Sequence, residues 1–305
     1  MSKTGARSVA VGAFLAGLLI WGAASKSASA IPIFAHQYGV TCDKCHSVVP
    51  HLNAFGAAFM ASGYRIPGLK PGPAFPISMK ANLVDSSRYQ GDGPNGAGLP
   101  KAIVDEVELF TAGGIGNRAS YLVEQYAVDG GVPGLTRDAW VMDRVNPWDA
   151  RVPVYVQAGS FTLPLPVDPE TFRDTHQGYS VFEQAVAGNP FVFFDPKIGA
   201  RVSVGNPLQG SSVQFFAGPG HDRQSGLATV GTDVMGYAQQ AIGPIALSAY
   251  RYEGSRPLVG SSFDRFQRTG YALVYDDHKR WEVDTLYQSG WDSDCLIAGS
   301  AGCAS

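Results

Sequence analysis

From residue 77 onward, apolar and wetter residues take turns along the chain. Ile198, Ala200, Val202 and Val204 alternate with Gly199, Arg201, Ser203 and Gly205. Val213, Phe215 and Ala217 alternate with Ser212, Gln214 and Phe216. Ile245, Leu247 and Ala249 oppose Ala246, Ser248 and Tyr250, and Trp281, Val283 and Tyr287 oppose Glu282, Asp284 and Gln288. Successive side chains of an extended strand leave on opposite faces, so a period of two predicts strands with one apolar and one wetter face. Similar stretches lie near 77–90, 104–116, 118–130, 136–145, 152–162, 232–242 and 264–277. That makes about eleven candidates, mostly separated by Gly, Pro, Asn or Asp turns. Strands of about ten residues suit an outer-membrane barrel better than a sandwich, whose strands are shorter. The expected fold is therefore mainly β: an antiparallel barrel of about 10–14 strands over residues 76–305.

Composition agrees without choosing between membrane and water. The chain of 305 residues holds 37 glycines and 20 prolines, with 11% aromatic and only 16% charged residues. Turns and strands use that mixture, and aromatic girdles at a membrane surface add to it. A soluble β-protein uses it too. The net charge of −3 is small and gives no support for a nucleic-acid partner, whose binders usually show a basic patch or stripe. After the N-terminal region, no segment approaches eighteen consecutive apolar residues, which excludes a helical membrane protein.

Residues 1–30 read as an export signal. Lys3 and Arg7 form a basic start, Val9 to Ala24 is an apolar run, and Ala28-Ser29-Ala30 is a small-residue cleavage site. The mature chain is expected to begin near Ile31, outside the cytoplasm. Cys295 and Cys303, which can pair in an oxidising compartment, lie near the C-terminus.

The chemistry is expected in Cys42-Asp43-Lys44-Cys45-His46. Cys-x-x-Cys-His is the attachment signature of c-type haem. Two thiols three residues apart can each add to one vinyl group of a single porphyrin, and the next imidazole becomes the proximal iron ligand. A redox dithiol is the first alternative, but such a motif normally opens a helix after a strand. A zinc site with His46 and His51 or His36 is the second; it lacks another Cys-x-x-Cys at the usual separation. Residues 31–75 are expected to form a small helical domain around one haem c. Its helix is predicted to run from Pro50, through Leu52, Phe55, Phe59 and Met60, to a stop at Gly63. The distal ligand is expected to be Met60, then His36, then His51. The run Pro67-Gly68-Leu69-Lys70-Pro71-Gly72-Pro73 reads as a linker.

Two stretches of the later region stand out. Leu163 to Lys197 interrupts the strand pattern, with a short helix expected over Tyr179–Ala187; an insertion of that length is unusual unless functional, and in a barrel it can enter the lumen or cap the mouth. Asp105, Glu106, Glu108, Glu124, Asp138 and Asp143 concentrate in the early strands. They are candidate lumen groups for attracting a cationic electron donor, or simply the wet face of a barrel.

Phe34-Ala35-His36-Gln37-Tyr38-Gly39-Val40-Thr41 with the motif, then Pro50-His51-Leu52-Asn53-Ala54-Phe55-Gly56 and Gly63-Tyr64, resembles the N-terminus of fused monohaem cytochrome c–porins. The outer-membrane iron-oxidising cytochromes of bacteria are members of that family. The resemblance covers about forty residues and is architectural over the rest. It implies that Cys42 and Cys45 bind haem and that His46 ligates iron. It further implies electron transfer across the outer membrane of a Gram-negative bacterium, between a periplasmic electron-carrier protein and an external donor or acceptor such as ferrous iron. The chain departs from the family in its shorter barrel region and in its ending, Gly302-Cys303-Ala304-Ser305, which is not an aromatic assembly signal. An electron carrier is thus the first expectation, an iron-oxidising oxidoreductase the enzymatic one. The alternative from another class is a soluble periplasmic haem protein whose β-domain binds a redox partner.

Overall fold

The computed structural model describes residues 32–66, 71–72, 77–85, 102–130, 132–148, 150–168, 171, 179–183, 189, 191–206, 210–219, 231–257, 263–277, 281–294 and 301–304. The expected export signal and Cys295 lie outside the described residues, as does most of the Pro/Gly linker.

The first described element is helix α1 (Pro32–Tyr38). Gly39, with φ +63°, ends it, and the Val40 amide reaches back to the Ala35 carbonyl at 3.0 Å. This is the six-to-one bond of a helix stop whose left-handed position favours glycine. A 3₁₀ turn at Cys42–Lys44 follows, then a small hairpin of β1 (His46–Val48) and β2 (His51–Leu52). Helix α2 (Ala54–Ala61) comes next. It ends as α1 does: Gly63 has φ +71°, and the Tyr64 amide bonds the Phe59 carbonyl at 2.8 Å. The expected stop at Gly63 is therefore present, but the expected start is not. Pro50 lies in the hairpin turn, and Asn53 caps α2 by accepting from the Gly56 amide at 3.0 Å. The helical domain expected over 31–75 is, in its described residues, two short helices separated by a turn and a hairpin.

Twelve strands form one antiparallel sheet in which every strand pairs with its sequence neighbours. They are β3 (Ile77–Asp85), β4 (Ala102–Ile115), β5 (Ala119–Asp129), β6 (Thr136–Arg144), β7 (Val154–Phe161) and β8 (Lys197–Gly205). Then come β9 (Ser212–Gly218), β10 (Asp233–Ile242), β11 (Ile245–Pro257), β12 (Phe263–Asp276), β13 (Glu282–Asp294) and β14 (Ala301–Ala304). The mainly β, antiparallel expectation holds, and the count falls within the expected range. Closure into a barrel is not reached: among the described residues no ladder joins β3 to β13 or β14. The physical reason is at the last strand. β14 is four residues long and pairs with β13 only near its end, through Trp291, Asp292 and Asp294.

The sheet nevertheless curls. Gln37 Nε2 donates to the Ala112 carbonyl of β4 at 3.0 Å, while His51 Nε2 lies 3.4 Å from Glu282 Oε2 of β13. Those strands are nine steps apart, about 43 Å in a flat sheet at ~4.8 Å per step. One small folded segment touches both, so the sheet wraps round it.

The enclosed face of the sheet is mixed: Trp140, Phe161, Phe216, Tyr252 and Phe266 are buried there beside charged and polar side chains, while the other face is apolar and exposed. The enclosed face carries Glu108, Glu124, Asp138, Arg144, Gln157, Asp233, Asp264, Arg268 and Asp292, all buried. The open face carries Val141, Val202, Val213, Phe215, Leu247, Leu273, Val283 and Tyr287, all exposed; Phe215 is 62% exposed. Buried charges survive only when paired. Accordingly, Arg268 Nη1 sits 2.8 Å from Asp292 Oδ2, and Arg256 Nε 3.2 Å from Asp264 Oδ2.

The described part of the 163–197 insertion turns inward. Leu163, Leu165, Val167, Phe182, Phe191 and Phe193 are buried. Phe191 packs on Tyr252 and Phe266, with ring centroids 4.5 Å and 5.0 Å away. Asn189 Nδ2 donates to Asp292 Oδ1 at 2.5 Å. Its described residues thus pack on the enclosed face of the sheet. The short helix is α3 (Ser180–Glu183).

Candidate haem-attachment site

The motif begins with a tight turn. The Lys44 amide bonds the Thr41 carbonyl and the Cys45 amide bonds the Cys42 carbonyl, both at 3.1 Å. In a 3₁₀ turn, side chains three apart eclipse one another, so Cys42 and Cys45 leave on the same side. Both are unbridged and half-buried. Burial pushes the Cys45 thiol up, the neighbouring Cys42 adds to the shift, and Lys44 opposes it. Two thiols on one side of a turn are what two vinyl additions to one porphyrin require.

His46 follows at the start of β1. Its Nδ1 lies 3.1 Å from the Pro50 carbonyl oxygen. A carbonyl can only accept, so Nδ1 carries the hydrogen and Nε2 keeps its lone pair. That assignment leaves one nitrogen for a metal and fixes the ring through the other. Burial also pulls the His46 pKa down, against the backbone hydrogen bonds of Pro50 and His51, which raise it. The net shift favours the neutral imidazole that ligates iron. The residues therefore fit a c-type haem by donor chemistry and by the shape of the turn.

Asn53 ties the turn to α2. Its Nδ2 donates to the carbonyls of Asp43 and Lys44, each at 3.2 Å, and its own amide bonds the Cys45 carbonyl at 2.9 Å. Gly56 lets the two approach: a Cβ there would run into the Cys45 carbonyl oxygen. Sequence reasoning gave neither residue a role. Asn directly before an apolar helix is the available signal for the cap, but the two donations to the turn need the folded chain.

The other candidate ligands occupy different settings. Met60 is half-buried on α2, and its Sδ lies 3.9 Å from Thr171 Oγ1 of the insertion. His36 is exposed at the end of α1. His51 is buried and faces Glu282. Among the described residues, no three His, Cys, Asp or Glu side chains gather as a metal site, so the zinc alternative with His36 or His51 is not assembled here. The dithiol alternative expects the motif to open a helix after a strand; here a helix precedes it, and the motif forms a 3₁₀ turn that leads into a strand.

Aromatic rings pack beside the site. Phe34 stacks on Tyr64 at 4.3 Å and meets Phe59 edge-on at 5.3 Å; Tyr38 also meets Phe59 edge-on at 5.3 Å. Tyr64 then stacks on Trp140 of β6 at 5.9 Å. Tyr64 holds φ +60°, a left-handed backbone that costs a non-glycine residue about 1–2 kcal/mol. Its sandwich between Phe34 and Trp140 offsets that cost. Arg65 Nη2 secures the same end, donating to the Gly116 and Ala119 carbonyls at 2.9 Å and 2.6 Å.

The early carboxylates divide. Glu108, Glu124 and Asp138 lie buried on the enclosed face. Glu106 and Glu108 both meet Lys80, so their charge is partly answered. Asp143 departs from the expected lumen set: it alternates with buried Met142 and Arg144 and lies 3.9 Å from the exposed Arg118. The side chain of Asp105 lies outside the described residues.

No family model, no curated protein and no solved structure matches this chain.

Proposed function

We propose that this chain carries electrons through one covalently bound c-type haem held inside an outer-membrane β-barrel. The observation that carries the reading is the motif's geometry: a 3₁₀ turn over Cys42–Lys44, which brings positions three apart into register, followed by an imidazole whose Nδ1 is committed to the Pro50 carbonyl. In this account Cys42 and Cys45 anchor the porphyrin and His46 holds the iron through Nε2. Met60 is the distal ligand we favour, with His36 next. His51 falls last because Glu282 already engages it. A bound haem supplies a one-electron couple at its iron. Pro50 keeps the His46 tautomer, and Phe34, Tyr38 and Phe59 pack together on the two helices that flank the motif.

The sheet supports the membrane half of the proposal. Transmembrane barrels turn apolar residues to lipid and admit charged and polar ones inside; this sheet exposes Val202, Phe215, Leu273 and Val283 and encloses Arg268, Asp264 and Asp292 beside aromatic rings. A soluble protein rarely exposes so extended an apolar surface. No described helix is long and apolar enough to cross a membrane. Electrons would pass between a periplasmic carrier protein and an external redox partner, with ferrous iron as the candidate the family resemblance suggests. The soluble periplasmic alternative draws on one feature, the unjoined edges of β3 and β14.

The test is vectorial. Liposomes containing the haem-loaded protein enclose an oxidised soluble cytochrome and receive ferrous iron outside. The proposal expects reduction of the enclosed acceptor only when the protein is present. Haem reduction without any change in the enclosed acceptor would support the soluble alternative instead.

A further inference from the structure

The geometry points to Asn53 as a positioning residue for haem attachment, which we propose holds the Cys42–Lys44 turn in the form that presents both thiols together. The inference rests on the haem reading above. Asn53 does two separable things. Its Oδ1 accepts from the Gly56 amide and caps α2. Its Nδ2 donates to the Asp43 and Lys44 carbonyls, the two residues between the cysteines. With the Asn53 amide on the Cys45 carbonyl, one residue engages three successive carbonyls of the motif.

The chemistry needs that restraint. Each thiol adds its S–H across a vinyl double bond: sulfur bonds the inner carbon, hydrogen goes to the outer carbon, and nothing is oxidised or reduced. Once one sulfur has bonded, the second must reach a vinyl at a fixed separation on the same porphyrin. A 3₁₀ turn keeps side chains three apart in register, but its own hydrogen bonds are poorer in geometry than those of an α-helix. The two donations from Nδ2 hold the turn from outside. Gly56 serves the same contact by leaving room for the Cys45 carbonyl.

Asp and Asn cap helices about equally well, but a carboxylate has no hydrogen to donate. Asn53→Asp therefore keeps the cap and removes both donations. Asn53→Ser, a neutral cap too short to bridge to the turn, guards against an effect of charge alone. The full chain is made with its haem-attachment machinery, and three readings are taken on folded protein only: haem per chain, helix content, and the pyridine haemochrome band. That band's position reports how many vinyl groups have become thioethers. We expect both variants to keep their helix content, lose most of their haem per folded chain, and show a band shifted toward one unreacted vinyl in what remains. Wild-type haem content and band position in both variants would overturn the inference while leaving the haem reading intact. Failure of both variants to fold would also overturn it, since Asn53 would then act on folding rather than on attachment. A colourless wild type would remove the haem reading itself.

Discussion

The N-terminal segment and the sheet both bury aromatic rings, but they differ in where they put charges and what they expose. In residues 32–66 the apolar rings of Phe34 and Phe59 are buried and the charged or polar His36, Asp43 and Lys44 are exposed. In the sheet, Arg268, Asp264 and Asp292 are enclosed while Phe215, Leu273 and Val283 face outward. One chain thus carries two patterns of exposure. The segment buries its rings and exposes its charges; the sheet encloses charges beside rings and exposes a run of apolar side chains, which the proposed account assigns to lipid. Within the proposed account, the segment is guest and the sheet is host. Tyr64 on Trp140, Arg65 on the β4–β5 turn, Gln37 on Ala112 and His51 beside Glu282 are among the contacts that join them.

The largest expected effect tests the host's interior. Arg268→Met leaves Asp292 buried with its ion pair gone, at a cost of about 3–5 kcal/mol. A large fall in the urea midpoint of the folded form is the readout; an unchanged midpoint would mean that this face is wet rather than sealed. Next comes the same kind of substitution in both regions. Phe215→Arg on the outer face should cost about 2–4 kcal/mol if lipid covers it, read as loss of the folded form from membranes. Val48→Arg on the exposed hairpin should stay within about 0.5 kcal/mol. Equal, small effects at both positions would erase the contrast between lipid and water.

The join between the regions responds more gently. Arg65→Met should loosen the segment from the sheet by about 1.5 kcal/mol, seen as faster proteolytic release of residues 32–66. Tyr64→Leu gives up the stack with Trp140 and should cost about 0.5–1.5 kcal/mol beyond lost area, offset in part because a strained backbone can relax. Its readout is a small gain in hydrogen exchange along α2. Release unchanged in Arg65→Met would show that the remaining contacts, Tyr64 on Trp140, Gln37 on Ala112 and His51 beside Glu282, hold the guest without it.

Much of the host was legible because a period of two survives without tertiary knowledge. All eleven stretches read from alternation, from Ile77 to Gln288, correspond to strands. Which face points inward was less direct, since alternation fixes the faces but the surrounding solvent decides their direction. β14 escaped because four residues, Ala301 to Ala304, carry too few alternations to register. In the guest, Cys42, Cys45 and His46 were readable as a motif. Helix α1 and the β1–β2 hairpin were not: Pro32–Tyr38 and His46–Leu52 are too short for periodicity, and they are held by partners distant in sequence, such as Ala112 and Thr171. Pro50 misled for a related reason. Proline suits a helix start, yet here it serves a turn whose carbonyl holds His46.

The central claim is a porphyrin joined to Cys42 and Cys45 in a chain that resides in the outer membrane. Outer membranes from cells making the protein with its maturation machinery are separated on a denaturing gel, stained for haem peroxidase activity, and compared with the Cys42→Ser, Cys45→Ser double variant. The account predicts a haem-stained band in the outer-membrane fraction whose migration changes on heating, and no stain in the variant. A colourless wild-type band, or a stained one found only in the soluble periplasm, would contradict it.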